Sequence, residues 1–353
     1  MKREKEMGGR EYEEVRCLGV AKQFGIAIKG TEKITELLSM SQVAEKMGFS
    51  TYWIAEDYFF GGAFSMATAC AAGTSKIKIG IGVLNPFTRH PALTAMETAA
   101  LSNFSGNRLM LGVGSSNAHW IQNQMGIPFE APLSSVQDCV EIVRKMLAGG
   151  KVTHQGKRFS VKEAELELSV TGKVPIYLGV KGEKGLQMAG EIADGILLSA
   201  GVSVPYVKWA MDHLAKGAEK SKDGLANFDV AAYLLISIHH DGQIAREAIK
   251  NRVARTIGLH GNHPILLTAG FRPEEIKPFR EAFLRREKAG HLVTEKMIDL
   301  LAIAGTPAEC QEKFKKILDA GVTQPILCDI EEISLEENMQ MVREYLFPLL
   351  ADG

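Results

Sequence analysis

Two adjacent carboxylates, Glu56 and Asp57, follow the strand-like run STYWIA. Side by side, two carboxylates can divide acid and base work if their surroundings separate their proton affinities. Asp57 can equally serve the backbone, as a cap or as an acceptor for an amide. A second group, Gly179-Val180-Lys181-Gly182-Glu183, opens a helix-like stretch. Its two glycines free the backbone so that several N–H groups can face one phosphate, and Lys181 and Lys184 add positive charge. An ordinary turn with solvated lysines would carry the same letters. A third group, Gly114-Ser115-Ser116-Asn117, lets a flat ring approach the backbone closely, or is simply a tight turn. A fourth, Gly82-Val83-Leu84-Asn85, ends an isoleucine-rich strand and runs into Thr88-Arg89-His90, bracketed by Pro86 and Pro91.

Other chemistries find no support. His90 and His119 lack ligand spacing to a carboxylate or a second histidine, so no metal is expected. There is no nucleophile elbow and no Cys-His signature for covalent hydrolysis. A site rich in glycine and amides and poor in nucleophiles points to a bound cofactor that carries the reaction.

These residues need elements to hold them. The 353 residues are 46% hydrophobic and 24% charged, enough for two domains or one large α/β barrel. A net charge of −1 gives no footprint for nucleic acid or an anionic membrane. No apolar run reaches the ~18 residues of a membrane span. Five widely spaced cysteines without a CxxC pair favour a reducing cytoplasm. Residues 1–22 read as a mobile polar extension, followed by a single domain over 23–353.

From Gln23 onward, strand-like and helix-like runs alternate. FGIAI begins the series, and a helix follows with Thr31 as its N-cap and Gly48 as its stop. The later strands are STYWIAE, IKIGIG, RLMLGVG, VPIYLGV, DGILLSAG, VAAYLLISI and QPILCDI. Eight strand–helix units predict a parallel (β/α)8 TIM barrel with its site at the strand C-termini. A doubly wound sheet is the alternative, but no GxGxxG follows the first strand. Extra segments at about 115–172, which include a hairpin turning at Gln155-Gly156, and at 241–300 are expected in the βα loops.

The block IGIGVLNPFTRHPALTAMETAALSNFSGNRLMLGVGSS resembles the bacterial luciferase-like superfamily. Within it, the likeness is to coenzyme F420-dependent reductases of the methylenetetrahydromethanopterin reductase type. MGFSTYWIAEDY, VPIYLGVKGEKGLQMAGEIADG and GVTQPIL take part, and the likeness runs from Gln23 to Leu350.

The resemblance implies a homodimeric (β/α)8 barrel with coenzyme F420, or alternatively FMN, at the strand C-termini. It implies a bulge with a cis peptide at Gly82-Val83 behind the ring, with Asn85 beyond it. It also implies ring contacts from Gly114, Ser115, Ser116 and Asn117, and a phosphate loop from Gly179 through Lys184. The chain departs from this pattern in three places. Ala27 stands where a glutamate is usual, Glu56-Asp57 where Asp-His is usual, and Asn117 where an acid is usual.

The expectation is hydride transfer between a deazaflavin and a small organic substrate. Glu56 or Asp57 would handle the proton, and Asn117 would bind substrate or ring. An FMN-dependent monooxygenase and a flavin-binding barrel without turnover are the alternatives.

Overall fold

The apolar runs form strands that are buried on both faces, as in an all-parallel sheet covered by helices. A computed structural model describes residues 23–350. The expected N-terminal extension and Cys17 lie outside the described residues. The strands are β1 (Gly25–Ile28), β2 (Thr51–Ile54), β3 (Lys78–Leu84), β4 (Leu109–Gly114), β5 (Ile176–Gly179), β6 (Gly195–Leu198), β7 (Asp229–Leu234) and β8 (Gln324–Cys328). Each pairs in parallel with its chain neighbours, and β8 closes onto β1, with Ile26 opposite Leu327. The chain is a closed (β/α)8 barrel.

Every strand sends a side chain inward. Ala27, Trp53, Val83, Met110, Tyr177, Leu197, Ala231, Tyr233 and Ile326 fill the barrel. Trp53 fits because Gly80 faces it: a Cβ on Gly80 would stand 2.3 Å from the indole. Polar bonds shut the N-terminal end of the barrel. Trp53 Nε1 donates to Gln324 Oε1 at 2.7 Å, and Gln324 Nε2 donates to Asp229 Oδ2 at 2.6 Å. The Tyr177 hydroxyl donates to the same carboxylate at 2.8 Å. The opposite end, where the strands finish, is where barrels of this kind place their chemistry.

The outer helices are α1 (Ile34–Met47), α2 (Ala63–Gly73), α3 (Pro91–Phe104), α4 (Pro132–Leu147), α5 (Glu183–Ile192) and α6 (Val204–Ala218), followed by Pro307–Asp319 and Leu335–Tyr345. Pro91 occupies the first turn of α3, and His90 Nδ1 accepts the Ala92 N–H at 3.2 Å. Gly48 ends α1 at φ 90°. The start of α1 differs from expectation. Lys33 is its N-cap, without a side-chain bond, because the Thr31 hydroxyl turns to Glu32 at 3.4 Å.

The extra segments divide. The α7 helix (Gly242–His260) and the pieces after it form the expected insertion beyond β7. The run VAAYLLISI is not one strand. Beyond Leu235, Ile236–Ile238 leaves the barrel and pairs with Ile303–Gly305. The hairpin Val152–Gln155/Ser160–Ala164 turns where expected and follows the α4 helix, as the order of the sequence has it, so it does not lie in a βα loop. It therefore belongs to an αβ connection, because α4 has already carried the chain back along the strands. Its tip bends up along α4, where Asp138 Oδ2 accepts the N–H groups of Arg158 and Phe159 at 2.7 and 3.0 Å. No helix among the described residues is long and apolar enough to cross a membrane.

Candidate active site

Strand β3 breaks register between Ile81 and Leu84, and the Gly82-Val83 peptide is cis. The bulge points Val83 across the ends of β4 and β5. Glycines receive it there. A Cβ on Gly114 would meet Val83 Cγ2 at 2.7 Å, and one on Gly179 would meet Val83 Cγ1 at 2.8 Å. Gly114 and Gly179 are register partners across the two strands. The Tyr233 hydroxyl donates to the Gly82 carbonyl at 3.2 Å and supports the bulge from inside. Gly179 is thus required by the packing of Val83. Gly182 has open space where its Cβ would be, as a backbone cradle needs.

The residues after β2 divide their roles. Asp57 Oδ2 accepts the Gly30 N–H at 2.8 Å, tying the β1 and β2 loops together. Glu56 Oε2 is buried and has no hydrogen-bond partner among the described residues. Burial holds its pKa above the usual carboxylate range; nearby Arg89 opposes the shift and Glu97 reinforces it. Tyr58 joins the loops. Asn85 Nδ2 donates to its hydroxyl at 2.5 Å, and Trp120 meets its ring edge-on at 5.2 Å. Burial raises the Tyr58 pKa, so the hydroxyl stays protonated.

Asn85 itself is 4% exposed. Its Oδ1 accepts the N–H groups of Phe87 and Thr88 at 2.9 and 3.1 Å, and its Nδ2 also reaches Thr88 Oγ1 at 3.1 Å. It shapes the turn and acts on the site through Tyr58.

In the β4 loop, Ser116 adopts φ 60°. Its Oγ is buried beside Tyr58 without a well-directed partner. The Ser115 hydroxyl donates to the Ser116 carbonyl at 3.3 Å. Asn117 is exposed, and its Oδ1 accepts the Trp120 N–H at 3.2 Å, starting a π-helical turn, His119–Gln124.

At the β5 end, Val180 is buried and Glu183 is exposed as the first residue of α5. Lys181 has no carboxylate beside it among the described residues, and burial depresses its pKa. Its Nζ lies 3.4 Å from His260 Nδ1. His260 Nε2 lies 2.7 Å from the Ala200 carbonyl. That carbonyl can only accept, so Nε2 carries the proton and Nδ1 is free to accept from the ammonium. Burial, with Lys181 adding to it, pushes His260 down to about 3 and His263 down to about 4. Both imidazoles are neutral at ordinary pH. An ammonium here is disfavoured by its surroundings and would gain from an anion placed beside it.

The barrel thus brings together Glu56, Tyr58, Asn85 and Ser116 on one side, and the Val83 bulge with Gly114 and Gly179 beside them. Lys181 marks the start of α5. Sequence reasoning missed Tyr58, although it adjoins Glu56-Asp57. It also missed Tyr233, His260 and His263, which carry no local signal. The α7 helix lies along the rim on the β6–β8 side: His260 reaches Ala200 after β6, and Asn251 Nδ2 reaches Glu332 Oε1, after β8, at 2.9 Å.

Residues 17–324 match the family model described as luciferase-like monooxygenase. The chain is 33% identical over 305 residues to the 5,10-methylenetetrahydromethanopterin reductase of Methanolobus tindarius, covering 85% of this chain and 92% of the relative. It is 27% identical to the F420-dependent glucose-6-phosphate dehydrogenase of Microbacterium testaceum over 89% of this chain and 93% of that one. The structure of the coenzyme F420-dependent tetrahydromethanopterin reductase from Methanopyrus kandleri superposes with a TM-score of 0.85 at 32% identity, covering 93% of this chain and 99% of that one.

Proposed function

The chain belongs to the luciferase-like monooxygenase family, and from that premise we propose that it is a coenzyme F420-dependent oxidoreductase acting on a small organic substrate. The buried Lys181 carries this reading. Among the described residues it is a cation without a carboxylate, set at the start of α5, and it suits the anionic tail of such a cofactor. The orphaned buried atoms Glu56 Oε2 and Ser116 Oγ offer polar contacts at the ring end of the same mouth. F420-dependent relatives with different substrates support the cofactor class more strongly than any one substrate.

When bound, a deazaflavin supplies the hydride chemistry. This chain's residues do the rest. Val83 and its glycine bed present a smooth wall, Lys181 anchors the anion, and α7 lines the rim on the β6–β8 side. Glu56 holds a proton beside the reacting end, and the protonated Tyr58 hydroxyl can donate next to it.

We extend the proposal to a homodimer in a reducing cytoplasm. The exposed stripe Leu93, Met96 and Phe104 on α3 supports the first part. The four described cysteines, all buried and unpaired, support the second.

Titrating purified protein with coenzyme F420 and, separately, with FMN tests the cofactor. Saturable quenching of the deazaflavin fluorescence, with much weaker FMN binding, is expected. Tight FMN binding without affinity for the deazaflavin would overturn the reading in favour of the FMN monooxygenase.

A further inference from the structure

Glu56 does not stand alone at the mouth of the barrel. Arg89 precedes α3 and Glu97 lies in its second turn. Arg89 Nη1 is 3.4 Å from Glu97 Oε2, close enough for an ion pair but not aligned as a hydrogen bond. The guanidinium also lies 5.1 Å over the Phe64 ring on α2. Both Glu56 Oε2 and Glu97 Oε2 are buried without a hydrogen bond among the described residues. One cation thus serves two carboxylates, and the geometry gives it to Glu97.

We propose that Glu97 is a positioning residue: by holding Arg89 against Phe64 it keeps the guanidinium off Glu56, and so lets Glu56 carry a proton at the mouth of the barrel. A free Arg89 would do the opposite, because an adjacent cation favours the ionised carboxylate. The charged and titratable groups around Glu56 are Arg89 from the β3–α3 loop, Glu97 from α3, and Asp57 and Tyr58 from its own loop. Asp57 is engaged by Gly30, and Tyr58 by Asn85. Arg89 is therefore the group whose placement can change. Arg89 and Glu97 are about one-third exposed, with side-chain accessibilities of 30% and 35%, so solvent weakens the effect without removing it.

The inference rests on Glu56 as the proton-handling group of the proposed reaction. It is tested without cofactor or substrate, so the two can fail separately. Infrared titration of the ligand-free protein reads the protonated carboxyl band, assigned to Glu56 by its loss in Glu56→Gln. Glu97→Gln should lower the midpoint of that band by about one pH unit, roughly tenfold in the protonation equilibrium. Arg89→Gln should raise it.

The decisive variant is the double one. If Glu97 acts through Arg89, adding Glu97→Gln to Arg89→Gln moves the midpoint little. If the full downward shift persists there, Glu97 acts by direct repulsion and the proposal is overturned. An unchanged midpoint in the folded Glu97→Gln protein overturns it as well. Arg89→Lys, which keeps the charge, guards against a folding defect: it should stay nearer to wild type than Arg89→Gln.

Discussion

Val83 lies directly over Gly179: a Cβ there would approach Val83 Cγ1 to 2.8 Å, and the branched valine has no flexible end that could yield. Gly179→Ala should therefore displace the bulge, cost about 1–3 kcal/mol as overpacking, and weaken cofactor binding at the same time. Thermal unfolding and deazaflavin titration check both effects. Val83→Ala added to Gly179→Ala should recover part of the stability, since it empties the contested space. A fully stable single variant with normal binding would show that the packing does not govern this wall.

Glu56→Gln should lower turnover by ~10²–10⁴-fold, the usual contribution of a positioned acid or base, while cofactor affinity stays within twofold. The pH dependence has a defined sign. Burial raises the folded-state pKa of Glu56, so the fold binds this proton more tightly than the unfolded chain does. Its contribution to stability is whole below the unfolded value of about 4.3 and is lost as pH rises through the folded value. The Gln variant cannot ionise. Its melting temperature should therefore gain on wild type across that window and show no gain near pH 4. Substrate reduction by the wild type should decline as pH rises through the same folded value.

Asp57→Asn should behave differently from Glu56→Gln. Its carboxylate accepts the Gly30 N–H, and hydrogen bonds to charged groups contribute about 1.5–3 kcal/mol. The variant should lose stability, with only a secondary fall in turnover. Equal kinetic damage from the two substitutions, with stability intact in Asp57→Asn, would move the proton function to Asp57.

These contrasts show which parts of the molecule sequence can carry. The barrel was legible because each strand is an apolar run and each helix begins or ends on a local signal, such as Pro91 or Gly48. The break at Leu235 was not, because Asp229–Leu234 and Ile236–Ile238 are buried alike and form one hydrophobic word. The site followed the same rule. Glu56 and Lys181 stand at strand ends and could be named from position. What makes them special lies elsewhere in the chain. His260 reaches Lys181 from an insertion, and the Arg89–Glu97 pair closes across the start of α3. Gly179 also has a role that its own neighbours in the chain do not announce, since its missing side chain makes room for Val83 on another strand.

Lys181→Met should separate folding from binding. Burial depresses the lysine pKa, so the cost of the cation is full below the depressed value and lifts as pH rises through it. Removing the charge should leave the ligand-free protein as stable or more stable, while deazaflavin affinity falls ~10–100-fold, about 1.4–2.7 kcal/mol. Differential scanning calorimetry and fluorescence titration read the two effects. Affinity of the wild type should also weaken with added salt. Unchanged affinity in the variant would place the anion elsewhere.

The exposed face of α3 makes the last prediction. Leu93, Met96 and Phe104 are 51%, 50% and 59% exposed, and with Ala100 they recur at helical spacing along one stripe. A water-facing helix rarely carries such a stripe without a partner. In a two-fold dimer each patch meets its own copy, so one substitution places like charges opposite each other. Met96→Glu should therefore weaken association at least ~tenfold and leave the barrel folded, because the side chain points away from the core. Light scattering across a dilution series should find the wild type dimeric and the variant monomeric, with matching circular dichroism. A monomeric wild type would leave the stripe to a different partner and remove the dimer from the proposal.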